Sequence, residues 1–284
     1  MAEGSAPARV ALAGNPSDGF GGAVLAVTLA NWSASAEVHE AHAATIEPRS
    51  ELVAAAVRRR APGRSLAVRW RSDIPREVGL GGSSAIVIAM LRALDALDGR
   101  PDDPERLAAE ALAVEVEDLG IAAGPQDRVV QCHGGLLLMD FASGRRATLP
   151  GERLPPLLVA HHAGAAGPSG AVHGALHPRT DGTVRDAMAR LAELAREAYG
   201  ALQGGDRDRF ADCMDRSLLT RGEVLQLHPE ALAAAELVRA HGGAANYAGS
   251  GGALAIAAPV DAAARAALAE ALGARAWQVA RARA

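Results

Sequence analysis

The run Gly79-Leu80-Gly81-Gly82-Ser83-Ser84 leads straight into an apolar stretch, Ala85 to Leu97. A glycine-rich turn that opens a helix gathers unpaired backbone N–H groups at the positive end of the helix dipole, and that combination attracts phosphate. Ser83 and Ser84 add hydroxyls, one able to cap the helix and one able to reach a metal or a phosphate. The alternative is a plain glycine turn with a serine cap. Asp127 stands in the turn Gly124-Pro125-Gln126-Asp127-Arg128. It reads either as a general base or as half of a surface Asp–Arg pair. Asp18, in the turn cluster Gly14 to Gly19, reads either as a ligand or as a backbone-capping side chain. Glu115 and Glu117 are two apart on a helix and face different sides, so at most one of them shares a site with Asp127. A second glycine loop, Gly249 to Gly252, allows close approach of backbone to a ligand or another segment.

These residues need elements to hold them. Arg9 to Ala13, Val24 to Leu29, Ala34 to His39 and Leu66 to Trp70 read as strands, and a further apolar strand is expected just after Asp127. Gly135 to Phe141, Pro156 to His161, Ala253 to Ala257 and Trp277 to Ala280 read as strands too. Helices are expected over Ala85 to Leu97, which is apolar nearly all round, and from Pro104 to about Leu119, with proline in the first turn. Thr183 to Leu202, Asp206 to about Leu225, Pro229 to Ala240 and Asp261 to Leu272 carry helical spacing. The pattern is α+β without regular βαβ alternation, in two lobes. The change falls in Ala142 to Pro156, which divides the chain into 1–155 and 156–284.

Composition removes several kinds of chemistry. The chain has 284 residues, and all 29 of its Lys+Arg residues are arginine. Without lysine there is no Walker-type phosphate loop and no Schiff base. The net charge is −4 with acids and arginines interspersed, so nucleic acid is not an expected partner. Cys132 and Cys213 lie far apart and read as buried small hydrophobes. The nine histidines include no HExxH, and His161 and His162 project to opposite faces of a strand. No apolar run reaches the ~20 residues of a membrane helix, and no leader is evident, so a cytoplasmic location is expected.

Taken in order, the motifs resemble those of the GHMP kinases, the family of galactokinase, homoserine kinase, mevalonate kinase and phosphomevalonate kinase. Pro7 to Gly14 with Asn15 to Asp18 resembles the first motif, Gly79 to Ala85 the second, and Asn246 to Ala253 the third. Within that family, Gly14 to Asp18, Gly120 to Val129, Gly134 to Leu136 with Met139 to Phe141, and Ser169-Gly170 with Val172-His173 are similar to the glucuronokinases and also to heptose-type sugar kinases. The resemblance implies a two-lobed GHMP fold, with a mixed α/β first lobe and a helix-rich, ferredoxin-like second lobe. ATP and Mg²⁺ would bind between them, and a sugar or sugar acid would be the acceptor. By position, Gly79, Leu80, Gly81, Gly82, Ser83 and Ser84 would wrap the phosphates, and Ser84 and Glu115 would hold Mg²⁺. Asp127 would be the catalytic aspartate with Arg9 as its basic partner, and Asp18 would bind sugar hydroxyls. Ser17, His173, Tyr247, Gly249 and Ser250 would line the substrate pocket. Arg128 and Arg221 are the two candidates for a uronate carboxylate, which a planar guanidinium can bind through both oxygens. The implied protein is a sugar 1-kinase acting on D-glucuronate as a monomer or homodimer. The alternatives are another small-molecule kinase of the family or a non-catalytic sensor that keeps the fold. Asn246-Tyr247, Ala171 and Asp215 to Leu218 depart from the family pattern, all in the substrate half.

Overall fold

The computed structural model describes residues 1–165, 174, 176 and 181–284. Its frame begins with two long strands, β1 (Ala2–Ala13) and β2 (Ala23–Glu40), paired antiparallel. The turn between them carries the 3-10 turn Ser17–Phe20. Two separate strands were expected over the stretch that β2 occupies. The pairing shifts register between Pro7 and Ala8, where the partner changes from Ser33 to Leu29. Residues 30–32 are therefore a bulge, which bends a strand without ending it.

β3 (Thr45–Glu47), α1 (Glu51–Arg60) and β4 (Leu66–Ser72) follow. Helix α1 was not expected, although its signals are present: the Ser50 hydroxyl accepts from Val53 N–H, and three arginines occupy the last turn. Helix α2 (Gly82–Leu97) packs on β1 and β2. Helix α3 (Pro104–Ala113) is capped by Asp103 and runs into the π-helical turn Val114–Asp118. Asp127 lies in the first turn of helix α4 (Gln126–His133), which continues where a strand was expected. The change of structure falls later, at Gly134 and Gly135, whose φ of 76° and 70° ends the helix and starts β5 (Leu136–Asp140). Strand β6 (Arg145–Leu149) completes a sheet of order β3-β4-β2-β5-β6, with β1 on β2.

The rest of the chain builds a four-stranded antiparallel sheet of order β10-β7-β9-β8. Its elements are β7 (Leu157–His161), α5 (Gly182–Gly204), α6 (Arg207–Gly222), α7 (Pro229–Ala240), β8 (Ala244–Tyr247), β9 (Ala253–Ala257), α8 (Ala262–Gly273) and β10 (Gln278–Arg281). The main apolar core runs through both sheets, from Val10, Leu25 and Leu91 to Val159, Phe210 and Ala255. A smaller cluster, with Val238, Ile256, Leu268 and Trp277, lies in the second half. Among the described residues no helix is long and apolar enough to cross a membrane.

Both cysteines are buried, and burial pushes each thiol up to about 12. At neutral pH both are protonated and shielded, and only a thiolate is nucleophilic. We expect a thiol alkylating reagent to label the native protein negligibly and both sites once it is denatured. Rapid labelling in the native state, read by mass spectrometry, would contradict this burial.

Candidate active site

Strand β1 brings the candidate residues together. Its Arg9 N–H donates to Leu80 O (3.1 Å) and its Ala11 N–H to Ala248 O (2.9 Å), so both glycine loops are hydrogen-bonded to the same strand. The Arg9 side chain then ties three segments to one point. Nε and Nη2 donate to the two oxygens of Asp127 at 2.6 and 2.5 Å, and Nη1 donates to Gly79 O (2.6 Å) and Ala248 O (2.8 Å). The Arg9 side chain is 4% exposed and that of Asp127 is 18% exposed. Asp127 keeps acceptor capacity toward the cavity, because a carboxylate has about four lone-pair sites and Arg9 uses two.

The crossing of the loops is tight enough to require glycine. A Cβ on Gly249 would lie 2.3 Å from Gly79 O and 2.8 Å from both Nη atoms of Arg9. Gly81 caps α2 in the left-handed region, with φ of 76° and no capping side chain. The first hydrogen bond within α2 runs from Ala85 N–H to Gly81 O, so the amides before it have no partner inside the helix. Gly81, Gly82 and Ser83 line a cavity of about 830 Å³, within the usual range for a small-molecule site.

Two chemically different sets of side chains line this cavity. Trp70, Leu52, Ile74, Ile86 and Pro48 form an apolar set, accompanied by Arg49, Arg71 and Arg76. Arg9, Asn15, Asp127, Arg128 and Arg221 form a polar set with Gly249 and Ser250. Gly79, Leu80, Gly81, Gly82 and Ser83 lie on the same wall. A flat apolar surface, a row of helix-end amides and a carboxylate in one cavity suit a heteroaromatic base, a phosphate chain and a hydroxyl acceptor.

Other expected residues lie one layer behind, and Arg128 links them to the cavity wall. Ser84 is fully buried; its hydroxyl donates to Gln131 Oε1 (2.6 Å) and also lies 3.1 Å from Gly81 O. Glu115 is fully buried in the π-helical turn. Its Oε2 is paired with Arg128 Nη2, and its Oε1 has no hydrogen-bond partner. Glu117 points elsewhere and pairs with Arg59 (2.7 Å), as residues two apart on a helix should. Arg128 also donates to Gly124 O (2.7 Å), and burial together with Arg9 pushes its guanidinium down from its ordinary value. Asp18 accepts from Gln126 N–H (3.2 Å) and Gln126 Nε2 (3.0 Å), while Ser17 donates to Ala23 O (2.9 Å). Tyr247 is 3% exposed and its ring lies under Arg221, 4.7 Å from its centroid. His173 lies outside the described residues.

Sequence reasoning passed over Gln126 and Gln131, both on α4. Gln131 Nε2 donates to Pro7 O (2.7 Å) and Gly81 O (2.9 Å), joining β1, the glycine loop and Ser84. The buried amides Asn15 and Asn246 were also passed over; Asn246 donates to Asn15 Oδ1 (3.0 Å), and Asn15 donates to Tyr247 O (3.1 Å). Glutamine and asparagine carry no spacing signal, and only a three-dimensional accounting of buried donors finds them.

Among the described residues no three His, Cys, Asp or Glu side chains gather as a metal site. The adjoining histidines have different partners: His161 packs edge-on against Trp32, and His162 packs against Trp277. The Ser84 hydroxyl and the unpartnered Glu115 Oε1 nonetheless fit a hard dication in donor type, since Mg²⁺ takes oxygen ligands and relies on substrate phosphates for others.

Residues 49–135 match the GHMP kinases N terminal domain. Those residues therefore carry a GHMP kinase N-terminal domain, and the chain is similar to members of the GHMP kinase family. Its relatives include the probable glucuronokinase 2 of Arabidopsis thaliana, 33% identical over 214 residues, covering 69% of this chain and 58% of that protein. The chain thus spans a little over half the length of that relative. The fold is shared with Streptococcus pneumoniae phosphomevalonate kinase in complex with phosphomevalonate and AMPPNP (TM-score 0.82, 15% identity, 99% of this chain and 100% of that one). It is also shared with Lactococcus lactis galactokinase complexed with galactose (TM-score 0.82, 14% identity, 99% and 93%).

The close crossing at Gly249 generates an expected outcome. Gly249→Ala has to push apart Gly79 and Arg9, and overpacking of this kind costs about 1–3 kcal/mol. Denaturant unfolding should show that loss. Wild-type stability in the variant would mean that the loops do not cross as described.

Proposed function

We propose that this protein is an ATP-dependent sugar 1-kinase that phosphorylates D-glucuronate, with residues 1–155 and 156–284 as its two lobes. The observation that carries the reading is the Arg9–Asp127 pair, held at the wall of a cavity that Gly81, Gly82 and Ser83 at the start of α2 also line. The relationship to a probable glucuronokinase supports the choice of sugar acid.

Phosphoryl transfer asks a protein for positioning and charge stabilisation more than for covalent chemistry. In this reading the amides of Gly79 to Ser84 bind the ATP phosphates, and the Trp70 side of the cavity receives the base. The anomeric hydroxyl of the sugar lies against Asp127. Its oxygen bonds to the γ-phosphorus as the bond from phosphorus to the bridging oxygen breaks, releasing ADP. Asp127 accepts the hydroxyl proton. Arg9, by holding both Asp127 oxygens, fixes the direction of the remaining lone pairs. Asp18, Ser17, His173, Tyr247, Gly249 and Ser250 are the proposed sugar-side residues, with Arg128 and Arg221 as the cations nearby. Mg²⁺ would be held by Ser84 and Glu115 and would supply neutralisation of the phosphate charge.

ATP consumption across a panel of sugars and sugar acids tests the reading. Turnover with glucuronate and not with galactose is expected. Sugar binding without any ATP consumption would identify a sensor with this fold instead. A carboxylate acting as general base contributes about 10²–10⁴-fold, so Asp127→Asn should lower kcat by that factor with ATP affinity nearly unchanged. Wild-type kcat in that variant would remove Asp127 from the reaction. Glu115→Gln should raise the Mg²⁺ concentration needed for half-maximal activity by about tenfold or more and weaken Mn²⁺ binding measured by water-proton relaxation. An unchanged metal requirement would leave Glu115 as the counter-ion of Arg128 alone.

A further inference from the structure

Three arginines reach the polar side of the cavity, and they are not equivalent. Arg9 is neutralised by Asp127 and Arg128 by Glu115. Arg221, on α6, is 2% exposed and has no carboxylate within ion-pairing distance among the described residues. The residues outside the description, 166–173, 175 and 177–180, contain no Asp or Glu. The carboxylate whose charge acts on Arg221 is that of Asp18, whose oxygens accept from Gln126.

A guanidinium has five N–H donors in a planar fork. Arg221 Nη1 donates to Gly249 O (2.9 Å) and Nη2 to Ser250 O (3.3 Å). Its Nε is buried without a partner. The face of the group rests on the Tyr247 ring, which fixes the plane of the fork. Tyr247 is itself anchored, because its hydroxyl accepts from His228 N–H (3.1 Å) and its carbonyl accepts from Asn15 (3.1 Å). Burial pushes the guanidinium down only to about 10, so it is a cation at neutral pH.

A buried charge without a close counter-ion opposes folding, and such groups concentrate at functional sites. Arg221 lines the cavity, lies over the Tyr247 ring, and has a buried Nε from which no described residue accepts. We infer that Arg221 is the receptor for an anionic group carried by the acceptor sugar, the carboxylate of a uronic acid, and that it sets the preference for sugar acids over neutral sugars. The inference rests on the kinase reading above. It also decides between the two candidate arginines: each has a buried Nε without a partner, but Arg128 already has a carboxylate counter-ion in Glu115 and Arg221 has none among the described residues.

The test pairs glucuronate with glucuronamide, which has the same shape without the charge. For Arg221→Met, kcat/KM with glucuronate should fall about 100-fold or more, mainly through KM, while glucuronamide changes by only a few fold. Arg221→Lys should recover part of the loss, since it keeps the charge and loses the fork. A parallel fall for both sugars would overturn the inference, because it would mean that Arg221 only braces the Gly249–Ser250 turn. Unchanged glucuronate kinetics would overturn it as well. Sugar phosphates form a second arm; dependence on Arg221 there and not with glucuronate would overturn the carboxylate in favour of a phosphate. If the wild type consumes no ATP with any sugar, the kinase reading fails by itself, and calorimetry of glucuronate and glucuronamide decides the role of Arg221. Loss of glucuronate binding alone in Arg221→Met then supports the receptor, and equal binding by wild type and variant overturns it.

Discussion

The site depends on a single side chain that satisfies four acceptors in three places. Arg9 binds both oxygens of Asp127, the carbonyl of Gly79 and the carbonyl of Ala248. Those partners lie 118, 70 and 239 residues away in sequence. One guanidinium therefore closes the distance between α4, the loop before α2 and the turn after β8. A lysine, with three donors on a flexible stem, could not hold all four acceptors. In a chain whose basic residues are all arginine, the central cation is of the type best suited to this bracing.

Around that point the protein buries charge where a core would ordinarily exclude it. Arg128 and Glu115 are paired with almost no exposure, and breaking such a pair typically costs about 3–5 kcal/mol. Glu115 is carried there by a π-helical turn at the end of α3, a feature that often marks functional positions. The polar network extends through Gln131 and Gln126 to the glycine loop and to Asp18. Hydrogen bonds that tie distant segments together in this way rigidify their surroundings. Phosphoryl transfer needs such rigidity, because its barrier is lowered by groups already in place when charge develops.

Much of the frame was legible from residue patterns. The apolar face of α2, the proline opening α3 and the spacing of α7 all lie close to where periodicity places them. The misreadings have local causes. A three-residue bulge looked like a turn and hid the continuity of β2. The Val129-Val130 pair suggested a strand, whereas the glycines that end the helix lie at 134 and 135. Helix α1 carried clear capping signals that an alanine-rich segment made easy to overlook.

Residue type and order determined which groups are available: a glycine-rich helix start, a carboxylate at 127, arginines in place of lysine, and a likeness to the GHMP kinases. Tertiary structure decided which of those groups meet. Nothing in the sequence distinguishes Arg128 from Arg221 as a free cation, because pairing is a matter of distance between residues on different elements. Glu115 lies on the π-turn that reaches Arg128, and no acid of the described chain lies as close to Arg221. Local pattern sets each helix and strand through the chemistry of neighbouring residues. The balance of buried charge is settled only when distant segments pack.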